Sequence, residues 1–438
     1  MPAPFLSRHF LAEQASCVAQ VPFAAAGAAE DGVAVTHNLL AMGTWCEDAQ
    51  EARLTLIDLA VGHSGDEIVQ QPAMTRLASF HHSGGRVAAL EASIAVLLTP
   101  HRHAPDRCQH ALWDTHASQH HHLMQVADCG NGAVLVLAAS GDGSVSRLRM
   151  QVPTQPGSQP TAIQLREEDF DGALLLPWLV DVHPQGVAAL CANTDRKELL
   201  TAGADGSLFL TPLGADSGSS GTRLYSSAGA VTFTAAHWCG PQTAVTGSLQ
   251  GLLHTWDTRQ ARGPVLQLEQ PSAMRDVTVG LPRLAPAITC LDVHPAQHFC
   301  CATGGSDGGV ALWDLRLASS SSSLPQAATS SSPGSKQPLQ TAVSCCAVGS
   351  TGDCRAFAVC DIQFEGAGSI GSGSQRLIYC TSGGAVGVVR DVAAATGRLL
   401  FQEPKAAVRA CCLGAAGPCS QVFACTDQEG LLYMANAL

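Results

Sequence analysis

"ATGGSDGGVALWDLR", residues 302–316, decides the fold. Small residues lead into glycines, then an acid-glycine pair, then apolar residues ending in Trp-Asp. Asp307-Gly308, followed by Gly309, predicts a two-residue hairpin turn, because glycine enters φ > 0 without a Cβ penalty. After the turn, Val310, Leu312 and Asp314 fall on one face of a strand, and Ala311 and Trp313 on the other. The stretch reads as two antiparallel strands, the first built from small side chains.

The pattern returns along the chain. "MGTWCEDAQEARLTLIDL" (42–59), "SGDGSVSRLR" (140–149), "GADGSLFLTP" (203–212), "GSLQGLLHTWD" (247–257), "TSGGAVGVVRD" (381–391) and "TDQEGLLYMA" (426–435) bring the total to seven copies. Turn starts near 140, 203, 247 and 305 are 63, 44 and 58 residues apart, so the shortest spacing matches a repeat of ~40–45 residues and the longer ones need insertions. Another strand precedes several hairpins: 230–236, 287–296, 342–348 and 407–414, the last two expected to lead the sixth and seventh units. Strand, small-residue strand, tight turn, strand and outer strand make a four-stranded blade, and the inner strands are small because blades converge on an axis.

Composition narrows the function. Only 14% of the 438 residues are charged and the net charge is −12, which argues against nucleic acid, a ligand that needs a basic footprint. No apolar run approaches a membrane span, and the N-terminus lacks the apolar core of a secretory signal. The 18 cysteines are therefore expected in a reducing compartment; pairs such as Cys300-Cys301, Cys345-Cys346 and Cys411-Cys412 read as small strand fillers pointing to opposite faces. No C-x-x-C occurs, so neither a structural metal nor any cofactor is expected.

One propeller domain over 1–438 accounts for the whole chain. It carries a His-rich insertion at 100–122, a Ser/Pro-rich loop at 317–340 expected to be disordered, and a Gly/Ser loop at 365–374. The seventh unit offers three strands before the chain ends, so residues 8–21 are expected to supply the missing edge strand.

"HTWDTR" (254–259) and "ALWDLR" (311–316) resemble the WD40 repeat, which implies an all-β, seven-bladed propeller closed by an N-terminal strand. Asp142, Asp205, Trp256, Asp257, Thr303, Asp307, Trp313 and Asp314 occupy structural repeat positions by that resemblance. The family's histidine is missing before the opening unit, where 281–287 read "LPRLAPA", leaving Thr303, Asp307 and Trp313 without it. The order of elements, with "AVTFTAAHWCGPQTAVTGSLQGLLHTWDTRQ" and "ITCLDVHPAQHFCCATGGSDGGVALWDLR" as its best stretches, is similar to the WD-repeat nucleoporin forty-three family. That resemblance implies a non-catalytic scaffold in the outer ring of the nuclear pore, at the nuclear envelope. Its implied partners are other scaffold nucleoporins, specifically an α-solenoid subunit in the short arm of the Y-shaped complex, in support of nucleocytoplasmic transport.

Other motifs have plainer readings. The histidines at 101, 103, 110, 116 and 120–122 are of a type that binds zinc or copper, but no ligand spacing recurs, and a polar insertion explains them. "ALWD" at 111–114 lacks a preceding acid-glycine turn, which keeps the count at seven. Asp142, Asp205 and Asp307 each precede glycine and read as turn formers rather than as a carboxylate ring. Fragments such as "GAGSIGSG" lack the strand-turn-helix setting of a nucleophile, so no enzyme is expected. Arg259 and Arg316, closing the two W-D-x-R boxes, resemble docking residues of substrate receptors for cullin-type ubiquitin ligases; as capping residues at a blade edge they need no partner.

Overall fold

The computed structural model describes residues 5–11, 14–20, 25–28, 34–46, 51–64, 67–68, 72–81, 124–128, 133–139, 143–151, 177–180, 182–193, 195–214, 221–260, 263–272, 285–316, 342–347, 357–365, 376–391, 396–403, 406–414, 421–428 and 430–435. Within them every sheet is antiparallel, and the strands form seven sheets. The innermost strands touch in the order Gln14–Gln20, Met124–Asp128, Val187–Asn193, Phe233–Trp238, Ile288–Val293, Val359–Phe364, Val408–Leu413 and back to Gln14–Gln20. The protein is a seven-bladed β-propeller, and the blades are numbered here in that order.

The opening stretch is the middle hairpin of the fifth blade, Cys300–Gly305 paired with Gly309–Asp314. The strand alternation sends its residues to two different cores. Val310 and Leu312 pack with Val359, Ile362 and Tyr379 of the sixth blade. Ala311 and Trp313 pack with Val245, Leu253 and Leu268 of the fourth. Adjacent cysteines divide the same way: Cys300 joins the first of these cores and Cys301 the second. Such small fillers let neighbouring sheets approach closely.

The turn differs from the expected two-residue form. Gly308 N–H donates to Gly305 C=O (3.1 Å), and φ is positive at Gly308 (77°) but not at Asp307. Ser306-Asp307-Gly308 is thus a three-residue loop ending in a left-handed glycine. Asp307 serves it by accepting the Gly309 N–H at 3.0 Å, a local bond that needs no φ > 0. Gly206, Gly251 and Gly384 repeat both the positive φ and the i→i+3 bond in the third, fourth and sixth blades.

Inner strands are tied to one another across blades. Thr234 Oγ1 donates to Ile288 C=O (2.7 Å), and Thr289 Oγ1 donates to Val359 C=O (2.6 Å). Asp361 accepts from Cys411 N–H (3.1 Å), and Gln363 from Leu413 N–H (2.8 Å). Side chains thus satisfy backbone groups that no ladder reaches.

Two sequence expectations about strands need correction. Ala342–Ala347 is not the leading strand of the sixth unit; it pairs with Gly309–Asp314 as the outer strand of the fifth blade. The sixth blade begins instead at Val359–Phe364, whose side chains are nearly all buried, as an inner strand requires. The closing segment is also shorter and earlier than 8–21. Phe5–Phe10 pairs antiparallel with Gly430–Ala435, from Phe5 opposite Ala435 to Phe10 opposite Gly430. Gln14–Gln20 belongs to the first blade, paired with the stretch from Leu40 to Trp45. Burial explains the division: Phe5–Phe10 alternates half-buried and exposed, suiting an outer edge, whereas Ala15, Cys17 and Val18 are small or compact and buried.

The first blade is larger than the others. Its Ala34–Cys46 and Glu51–Ser64 strands outrun the blade, and Ala25–Ala28 and Glu67–Ile68 pair with the overhang. The segments 100–122 and 317–340, "ALWD" at 111–114, Asp142, and 365–374 beyond Glu365 lie outside the described residues.

Candidate functional site

The sequence-predicted positions gather in the fourth and fifth blades, which adjoin. Trp313 is buried and donates from Nε1 to Thr303 Oγ1 at 2.8 Å. That hydroxyl donates in turn to Gln270 Oε1 at 2.6 Å. Gln270, at the end of the fourth blade's outer strand, thus fills the place left by the missing histidine. In the fourth blade Trp256 Nε1 donates to Thr246 Oγ1 at 2.9 Å, and the Trp256 ring meets Tyr225 of the third blade at 4.8 Å.

The histidine-centred network sits in the third blade, around Asp205, with His183 as the member not expected from the sequence. His183 Nδ1 lies 3.1 Å from Asp205 Oδ1 and 2.9 Å from Ser207 Oγ, and its Nε2 lies 3.0 Å from Thr201 Oγ1. Burial raises the Asp205 carboxyl, but bonds from His183 and Ser207 outweigh it and hold the carboxyl below its ordinary value. Thr211, opposite Leu199, holds the place of the tryptophan, and Phe209, opposite Thr201, meets the His183 ring edge-on at 5.2 Å. The signal was the His-Pro at 183–184, eighteen residues ahead of Thr201.

The two arginines sit at the blade ends opposite the glycine turns. Arg259 grips Asp257 with both arms of its guanidinium, Nε to Oδ1 at 2.9 Å and Nη2 to Oδ2 at 2.6 Å. Those hydrogen bonds hold the Asp257 carboxyl down at about 2. Arg316 repeats the grip on Asp314 at 3.0 and 2.7 Å, and its guanidinium lies 3.5 Å above the centre of the Phe299 ring. Both side chains remain more than 60% exposed. Each box therefore presents a neutralised, rigid Asp–Arg fork to solvent, and the two forks stand on adjoining blades.

A second exposed feature lies at the seam between the sixth and seventh blades. Arg8 of the closing strand pairs with Glu403 (3.0 Å) and lies over the Phe401 ring (5.2 Å), both on the sixth blade. Leu6, Phe10 and Leu399 on these outer strands are exposed, Phe10 by 70%. Among the described residues no three His, Cys, Asp or Glu side chains come together in a way that could hold a metal ion. The arrangement offers surfaces for contact and groups that fix its own shape.

Known proteins are similar to this one over part of the chain. No family model matches. A stretch of 119 residues, 27% of the chain, is 29% identical to the nuclear pore complex protein NUP43 of Arabidopsis thaliana and spans 31% of that protein. A stretch of 122 residues, 28% of the chain, is 30% identical to nucleoporin Nup43 of Mus musculus and spans 29% of it. Over less than a third of either relative's length, this seven-bladed ring is similar to nucleoporins of the Nup43 type.

Proposed function

We propose that the protein is a non-catalytic scaffold subunit of the nuclear pore complex outer ring. In this reading it binds an α-solenoid nucleoporin of the Y-shaped complex, resides at the nuclear envelope and supports nucleocytoplasmic transport. The observation that carries the reading is the partial match to two Nup43 proteins in a chain that closes a seven-bladed ring. The chemistry fits: the ring is cross-tied by side chains from blade to blade and spends its polar groups on its own backbone. A rigid body of this kind loses little conformational entropy on docking.

Affinity capture of the tagged full chain, with identification of stoichiometric partners, tests this directly. Scaffold nucleoporins at constant ratio support it. A cullin adaptor in their place, lost in the Arg259→Glu, Arg316→Glu double variant, overturns it in favour of a ubiquitin-ligase substrate receptor. Against that second reading, both arginines are already held on both arms by Asp257 and Asp314.

A further inference from the structure

Phe5–Phe10 is the outermost strand of the seventh blade, and Thr396–Gln402 that of the sixth. Register fixes which way their side chains face, because residues directly opposite one another share a face of the sheet. Leu6 lies opposite Met434 and Arg8 opposite Leu432, and both partners belong to the core between the sixth and seventh blades. Leu6, Arg8 and Phe10 therefore point toward the sixth blade, while Phe5, Ser7 and His9 point toward the first. On the facing wall, Phe401 lies opposite Val386, a member of the same core. Arg398 lies opposite Val388, two residues along that strand, and so shares the face of Phe401.

Blades splay apart away from the axis, so the two outer strands bound a groove that opens to solvent. Leu6 and Phe10 are exposed in it, one on each side of Arg8. The other exposed large apolar side chains among the described residues, Val180, Val265 and Leu399, stand each on a different blade. Arg8 crosses the groove to Glu403 (3.0 Å) and the Phe401 ring (5.2 Å). Arg8 is 57% exposed and Glu403 15%, so the cation is the outer member of the pair. Arg398 is exposed and forms no ion pair among the described residues. The groove is thus apolar and carries two cations over one carboxylate, in a chain whose net charge is −12. Phe5–Phe10 also ends its sheet, so the backbone N–H and C=O groups of alternate residues along its outer edge have no strand partner.

We propose that this edge docks an extended segment of another protein, added as a fifth strand of the seventh blade, with an acidic side chain opposite Arg8 and apolar side chains two residues to either side. Backbone bonds to the free edge supply affinity, and the three side chains supply choice. Cross-strand pairing sets the pattern: the acid answers the cations, and the apolar residues cover Leu6 and Phe10. A second copy of this chain does not fit. Pairing two such edges so that Leu6 meets Phe10 sets one Arg8 directly opposite the other, and like charges so placed repel. The inference goes beyond the nucleoporin reading and does not depend on it.

A random peptide library displayed on phage and selected on the intact chain tests this. Enriched peptides should carry an acid with apolar residues two positions before and after it. Replacing that acid by lysine in a synthetic copy of an enriched peptide should weaken binding about tenfold or more, read by fluorescence anisotropy. Phe10→Ser and Arg398→Glu should each weaken it about as much from the protein side. Both side chains are exposed, so neither substitution should move the thermal midpoint. In the native chain the bound peptide should slow hydrogen exchange at amides of Phe5–Phe10. No enrichment, or peptides that bind equally well to both variants, would overturn the proposal. So would a native dimer dispersed by Phe10→Ser, which assigns the groove to a second copy, or phosphatidylserine vesicles released by Arg398→Glu, which assign it to a lipid surface.

Discussion

Trp313 and Thr303 face each other across the central hairpin of the fifth blade, with the indole N–H donating to the threonine hydroxyl at 2.8 Å. The same hydroxyl donates to Gln270, so one buried oxygen carries a chain of two bonds from one blade to the previous one. Thr303→Val keeps the shape and deletes that oxygen. It leaves a buried indole N–H and a buried amide oxygen unpaired, at about 1–3 kcal/mol. Chemical denaturation should show this loss, and Thr303→Ser should restore most of it. An unchanged midpoint for the valine variant would mean the network contributes nothing to the ring.

The turn glycines make a sharper comparison. Gly206 and Gly229 both have positive φ, 74° and 84°. A Cβ at Gly206 would strike the Val231 carbonyl oxygen, while one at Gly229 meets nothing within 4 Å. Gly229→Ala should therefore cost only the left-handed strain, about 1 kcal/mol. Gly206→Ala should cost clearly more, because backbone must move as well. Equal thermal midpoints for the two variants would show that the close approach is not maintained in solution.

What was legible in the sequence follows from this geometry. Hairpins with acid-glycine or glycine-rich tips carry their own local instruction, so the number of blades and the faces of Val310 and Trp313 could be read directly. Strands without a tip could not be placed as safely. Ala342–Ala347 and Val359–Phe364 are both six-residue strands, and only pairing partners separate an outer strand from an inner one. The sequence showed the histidine missing from the fifth blade but not what stands in for it, a glutamine following the outer strand of the previous blade. Gln270 is 33 residues from Thr303, and no motif marks it.

His254 should produce an acid-sensitive limb. It is buried in the fourth blade, edge-on to Phe233 and beside Trp256, and burial drives its pKa from 6.5 down to about 4. Between those values the unfolded chain binds a proton that the folded ring refuses, so stability falls as pH drops from about 6.5 toward 4. The full effect is about 3–4 kcal/mol. His254→Leu should flatten this limb, measured as the pH dependence of the unfolding midpoint. An acid limb unaltered by the substitution would place its origin elsewhere.

The register of the fifth blade predicts that its long insertion can be shortened. Trp313 and Ala342 are paired across adjacent strands, which sets their Cα atoms about 4.5–5.5 Å apart. The ends of the intervening segment thus already meet, and a short Gly/Ser link can join them at little entropic cost. Replacing residues 320–338 by such a link should leave the thermal midpoint within about 1–2 °C, since longer loops add closure entropy only slowly. A large drop would mean that the segment packs against the ring.

The ring's closure rests on six residues. Phe5–Phe10 covers the outer edge of Gly430–Ala435, a strand whose Leu431 to Ala435 side chains are buried. Arg8 adds a bond to Glu403 and a stack on Phe401, and Phe5 meets the Tyr433 ring edge-on at 6.4 Å. Removing residues 1–4 leaves all of these in place and should alter neither solubility nor cooperativity. Removing residues 1–11 strips the edge of its backbone partners and uncovers apolar side chains beside it, the combination that recruits other chains into edge pairing. That truncation should aggregate or unfold in a broadened transition. Arg8→Ala should fall between the two, because it loosens the tie to the sixth blade and keeps the strand. Hydrogen exchange decides the mechanism. Amides from Leu431 to Ala435 should exchange far faster in the longer truncation than in the shorter one. If they remain protected in a soluble protein, the seventh blade holds its edge without the N-terminal strand, and the ring's closure depends on packing between the seventh blade and the first.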